Sequence, residues 1–183
     1  MTRWLSLGAI ALAAFSAHAA PPTPDDDLAR LLADKGLIGR LEQVRNRVAD
    51  RTSELVVSAM GFLGVPYKRG GNSVETGFDC SGFVKAMYEQ TLGLVLPRRA
   101  NEQAAATQKI DRQDLKPGDL VFFNTMRRAF SHVGIYVGDN KFIHSPKPGA
   151  EVRVEDMGVA YWARRFDGAR RVVAEPSPGA AGD

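Results

Sequence analysis

The stretch HVGIYVGDNKFIH, residues 132–144, leaves the chain least freedom. Two short runs of Val, Ile, Tyr and Phe flank Gly138-Asp139-Asn140. Such runs around a turn cluster spell an antiparallel hairpin. A three-residue loop sets Val137 opposite Lys141, Tyr136 opposite Phe142, Ile135 opposite Ile143 and Gly134 opposite His144. Side chains alternate across a strand. His132, Gly134, Tyr136, Phe142 and His144 therefore share one face. Val133, Ile135, Val137 and Ile143 share the other, which reads as core. His144 becomes the diagonal neighbour of His132, with Cα atoms about 7–8 Å apart. Gly134 clears the space between them. A two-residue loop would slip the register and turn His144 away.

Cys80 is the chain's single cysteine, set in FDCSGF, residues 78–83. Asp79 suits a helix N-cap. Phe83, Val84, Met87 and Tyr88 then recur at helical spacing, predicting a helix over 81–91. Cys80 falls at its first turn, where partial positive charge and free N–H groups favour a thiolate. The same groups suit an oxyanion, and Gly82 allows close approach to the helix. A thiolate nucleophile needs a base, and His132 and His144 lie on one hairpin face. His132 would take the proton and His144 would orient its ring. The rival is a zinc site of one Cys and two His, but no C-x-x-C or H-x-x-x-H spacing supports it.

The first 20 residues read as a secretory leader: Arg3, an apolar run over 5–15, then Ala17-His18-Ala19. The run is too short to span a bilayer. Cleavage after Ala19 or Ala20 leaves no nearby cysteine to lipidate. A net charge of +3 with 25% charged residues fits an ordinary globular domain. No Lys/Arg block with interleaved aromatics points to nucleic acid. Residues 21–51 read as a linker and helical segment broken at Gly36 and Gly39. Residues 52–174 read as the main domain and 175–183 as a disordered tail. Within the domain a first helix is expected over 53–63, a short one over 100–107 and a strand over 120–124. Residues 152–154 and 171–174 are expected as edge strands. The loop 125–131 carries Arg127 and Arg128 just before His132, as a solvated loop or as a rim for an acidic ligand.

Six segments in order resemble the NlpC/P60 family of cell-wall cysteine peptidases: LGVPYKRGG (63–71), FDCSGF (78–83), LPRRANEQ (96–103), LKPGDLVFF (115–123), SHVGIYVGDNKFIHSP (131–146) and ARRV (169–172). The resemblance implies a papain-like α+β fold, with the cysteine on a helix packed on an antiparallel sheet bearing the histidines. It implies hydrolysis of amide bonds in peptidoglycan stem peptides by Cys80 as nucleophile, His132 as base and His144 as third residue. Tyr67, Asp79, Ser81 and Arg98 are implied at the substrate or oxyanion. No cofactor or metal is implied, and no transmembrane segment in the mature chain. The expected form is a monomer exported to the periplasm or cell envelope, and not a lipoprotein. Departures are Ser145 where the family often has Ala, and one extra Arg in Arg98-Arg99. No wall-binding repeat is recognisable. Two alternatives stand beside the peptidase: a catalytically silent wall-binding protein of the same fold, and an amide- or acyl-transfer enzyme of related architecture.

Overall fold

The structure, a computed structural model, describes residues 36–173. The expected leader over 1–20, residues 21–35 of the expected linker and helical segment, and the expected tail over 175–183 lie outside the described residues. Contacts divide the chain into Met1–Gln43 and Val44–Asp183; the second unit carries the fold described below. Helix α1 runs unbroken over Leu37–Met60, where two helices separated by a break were expected. A single interior glycine costs a helix only about 1 kcal/mol, and Gly39 is absorbed. Gly36, at φ 62°, lies just before the helix. The last turns of α1 place Leu55 and Ala59 in the core.

Strands β1 (Asn72–Ser73) and β2 (Gly77–Phe78) form a small antiparallel ribbon that leads into α2, Cys80–Leu92. Helix α3 (Ala100–Ala105) and β3 (Gln108–Ile110) follow. Then come β4 (Leu120–Phe123), β5 (His132–Gly138), β6 (Lys141–His144), β7 (Arg153–Asp156), α4 (Ala160–Ala163) and β8 (Phe166–Arg171). Six strands make one antiparallel sheet in the order β3-β8-β4-β5-β6-β7. Strand β7 is an edge, as expected. Strand β8 is interior, between β3 and β4, where an edge strand was expected. The polar three-residue β3 that covers it offers no apolar alternation to announce it.

The hairpin reaches its expected facing by another route. Gly138 pairs with Lys141, so the loop is only Asp139-Asn140. Both have positive φ, 47° and 58°, as a type I′ turn requires. A register shift between Tyr136 and Gly138 leaves Val137 as an extra residue. Tyr136 then faces Phe142 and Ile135 faces Ile143. The bulge restores what the shorter loop removes.

Both sheet faces are covered. Val133, Ile135 and Ile143 join Leu120 and Phe122 against Phe83, Val84 and Met87 of α2. Across the sheet, Val121, Phe123, Phe142, Met157 and Trp162 form a second cluster. The histidine face is thus roofed by aromatic side chains.

Candidate active site

Asp79 caps α2 with an extended backbone, its Oδ1 accepting from Gly82 N at 2.7 Å. Its Oδ2 accepts from Gly70 N at 3.0 Å and from Arg98 Nη2 at 2.6 Å. Arg98 Nη1 donates to Asp79 Oδ1 at 2.9 Å and to Ser81 Oγ at 3.0 Å. Asp79, Ser81 and Arg98 therefore brace the Gly70-Gly71 loop against the start of α2. A Cβ on Gly82 would strike the Gly71 carbonyl, so the close approach at Gly82 is made by the chain itself. The brace sets Cys80 as the first residue of the helix.

Cys80 opens into a cleft of ≈ 620 Å³ that is also lined by Tyr67, His132, Trp162 and Glu155. Asp79, Ser81 and Arg98 are not among the lining residues. Tyr67 is positioned by a parallel bridge to Phe78 and by donating its N–H to Ala150 O at 2.8 Å. Ser145 is buried and donates its hydroxyl to Phe78 O at 2.7 Å. The hydroxyl that departs from the common Ala thus ties the end of β6 to the strand before the cysteine.

His132 and His144 are both buried, with His132 Nε2 and His144 Nδ1 2.7 Å apart. Their rings meet edge to face, and Trp162 stacks on His132 with centroids 5.5 Å apart. The facing nitrogens share a hydrogen bond, which directs them at each other rather than at a common ion. Among the described residues, no group of three His, Cys, Asp or Glu is arranged to hold a metal. A Cβ on Gly134 would come within 2.7 Å of Phe142 and 3.1 Å of the His144 Cβ. Its absence makes room for the second histidine.

Three site residues escaped the sequence reading: Glu155, Arg153 and Trp162. Glu155 Oε2 lies 2.9 Å from His144 Nε2, and Arg153 Nη2 lies 2.7 Å from Glu155 Oε1. Their alternation in VRVED was visible, but the strand they pair with was not. Trp162 sits on a four-residue helix too short for a periodic signal. The basic lining also differs from expectation. Thr125, Met126 and Ser131 of the 125–131 loop line the cleft, but its positive charges are Arg69, Lys147 and Arg153. Arg127 and Arg128 are exposed outside the lining.

Burial pushes the Cys80 thiol up to about 11, and the Asp79 carboxylate adds to the shift. Hydrogen bonds from Val133 and Ser81 and the Arg98 charge oppose it. Burial and then His144 hold His132 well below the usual imidazole value. Burial also lowers His144, against the pull of Glu155. Burial raises the Tyr67 phenol, with Cys80 and Asp79 adding to it. These shifts favour the thiol at Cys80, the neutral ring at His132 and the protonated phenol at Tyr67.

A family model described as NlpC/P60 family matches residues 64–171. Murein DD-endopeptidase MepH of Escherichia coli K12 is 43% identical over 130 residues, 69% of this chain and 48% of that protein. Gamma-DL-glutamyl hydrolase of Bacillus subtilis 168 is 41% identical over 118 residues, 64% of this chain and 28% of that protein. The crystal structure of an NlpC/P60 family protein from Bacillus cereus ATCC 10987 aligns with a TM-score of 0.61 at 34% identity, over 66% of this chain and 39% of that one. The matched region is less than half of each of these relatives. A helix bearing Cys80, packed on an antiparallel sheet bearing both histidines, is the papain-like α+β arrangement. With its core from Gly64 to Arg171 matched by the family model, the chain belongs to the NlpC/P60 family.

Proposed function

We propose that the chain is an exported cysteine peptidase that hydrolyses amide bonds in peptidoglycan stem peptides. One observation carries the reading: Cys80 at a helix start and His132 line one cleft, with His144 hydrogen-bonded behind His132. Cys80 Sγ attacks the scissile carbonyl carbon as His132 takes the thiol proton. The N–H groups at the start of α2 and the Tyr67 hydroxyl stabilise the oxyanion. His132 returns the proton to the leaving amine, and a thioester remains. Water, deprotonated by His132, then attacks the thioester. The acid product leaves and the thiol is restored.

Arg69, Lys147 and Arg153 face this cleft with a single carboxylate, Glu155, among the lining residues. That balance suits acidic stem peptides. The names of the two relatives refer to different bonds, so the product decides the specificity. The test is digestion of purified muropeptides by the wild type and Cys80→Ala, with products identified by mass. Wild type should release defined fragments, and Cys80→Ala should release none while keeping its circular dichroism. Cleavage by Cys80→Ala at the wild-type rate would end the thiol mechanism.

A further inference from the structure

A neutral imidazole behind a catalytic base stabilises the imidazolium less than a carboxylate does. In this chain a carboxylate stands one hydrogen bond further back. Strand β7 sets Arg153 opposite His144 and Glu155 opposite Phe142. Alternation puts all four on one face. We infer that Glu155 is a positioning residue that sets the tautomers of both histidines. The inference rests on the proposed roles of Cys80 and His132.

The proton accounting is forced. An ionised carboxylate can only accept. His144 Nε2 therefore carries a proton and donates it to Glu155 Oε2, 2.9 Å away. His144 Nδ1 is then an acceptor, and His132 Nε2 donates to it across 2.7 Å. The remaining nitrogen of the base, His132 Nδ1, keeps its lone pair for the Cys80 proton. Burial resists ionisation of Glu155, but the His144 and Arg153 contacts prevail and hold it below the usual carboxylate range. When His132 takes its proton, the Glu155 charge is felt through His144.

Arg153 makes the carboxylate distinguishable from its isosteric amide. Arg can only donate, so in Glu155→Gln the amide oxygen stays with Arg153. The amide NH2 then faces His144 Nε2, which must become an acceptor. His144 moves its proton to Nδ1 and donates to His132 Nε2. The His132 proton ends on Nδ1, where it blocks the base.

The experiment is nitrogen-15 NMR of the histidine rings in the full chain, run beside muropeptide kinetics. Wild type and Arg153→Met should both carry the proton on Nε2 of each ring. Glu155→Gln should move both protons to Nδ1 and lower kcat by about 10–100-fold, the size of effect known for losing the partner that orients a metal-bound histidine, with KM nearly unchanged. Arg153→Met with Glu155→Gln frees the amide to turn. That pair should restore the Nε2 tautomers and recover part of kcat. Unmoved tautomers in Glu155→Gln would overturn the inference, whatever happens to rate. So would a double variant that stays in the Nδ1 form. The tautomers are read without turnover, so an active Cys80→Ala would end the proposed reaction and leave this result standing.

Discussion

At Cys80 two opposed effects meet. The α2 N-terminus favours a thiolate, while burial and Asp79 favour the thiol, and the outcome is a value of about 11. Sequence spacing exposes the first effect, because a cap and a helix are local. It hides the second, because enclosure depends on the distant cleft walls. The same divide separates His144 from Glu155. The two histidines share one hairpin, and counting reaches their common face only because the Val137 bulge offsets the shorter loop. Glu155 depends on which strand pairs with β6. The buried histidines also set a pH dependence. The unfolded chain takes up protons near the ordinary histidine value of about 6.5. In the folded chain His132 stays neutral to well below it. The unfolded state then binds more protons, so this stability is complete above about pH 6.5 and is lost as the pH falls. Thermal melts across pH should show the midpoint dropping below that value, and His132→Gln should flatten the drop. Parallel curves for the two proteins would show that His132 is not held neutral.

At the level of elements, α2 and the β5–β6 hairpin were legible and the joins between elements were not. Asp79, the apolar spacing behind it and the Gly138-Asp139-Asn140 turn cluster are signals contained within a few residues, although the loop itself proved one residue shorter than expected. The bulge at Val137 is not, since it appears only when β5 is laid beside β6. The unbroken α1 shows the opposite limit, where a weak local break at Gly39 yields to a long helix. Gly134 links the hairpin to the histidine pair. A methyl group there would meet the Ile143 carbonyl oxygen at 2.9 Å, and a backbone atom cannot swing aside. Gly134→Ala should therefore push β6 outward, costing about 1–3 kcal/mol of stability as overpacking does, and should lower kcat by moving His144. Denaturant unfolding and muropeptide kinetics check both effects. A variant as stable and active as wild type would mean that β6 has slack at this point.

Across the whole molecule, consecutive strands β4 to β7 form a meander, and β8 then returns to the far side of β4. It also carries Arg171, whose Nη2 donates to the buried Asp119 at 2.6 Å just before β4. A chain ending at Arg165 should lose cooperative unfolding, although Cys80, both histidines and Glu155 are all retained. Chemical denaturation reads this directly, and a sharp transition in the truncated chain would show the meander to be self-sufficient. The position of β8 also orders events in time. Synthesis runs from the N-terminus, so every residue of the proposed reaction exists before β8 does. Until β8 arrives, the edge of Leu120-Val121-Phe122-Phe123 lies open, an apolar strand of the kind that recruits other chains. The last of the described strands to be made is thus the one that shields this edge from other chains, and a product cut off before Phe166 is a sticky one.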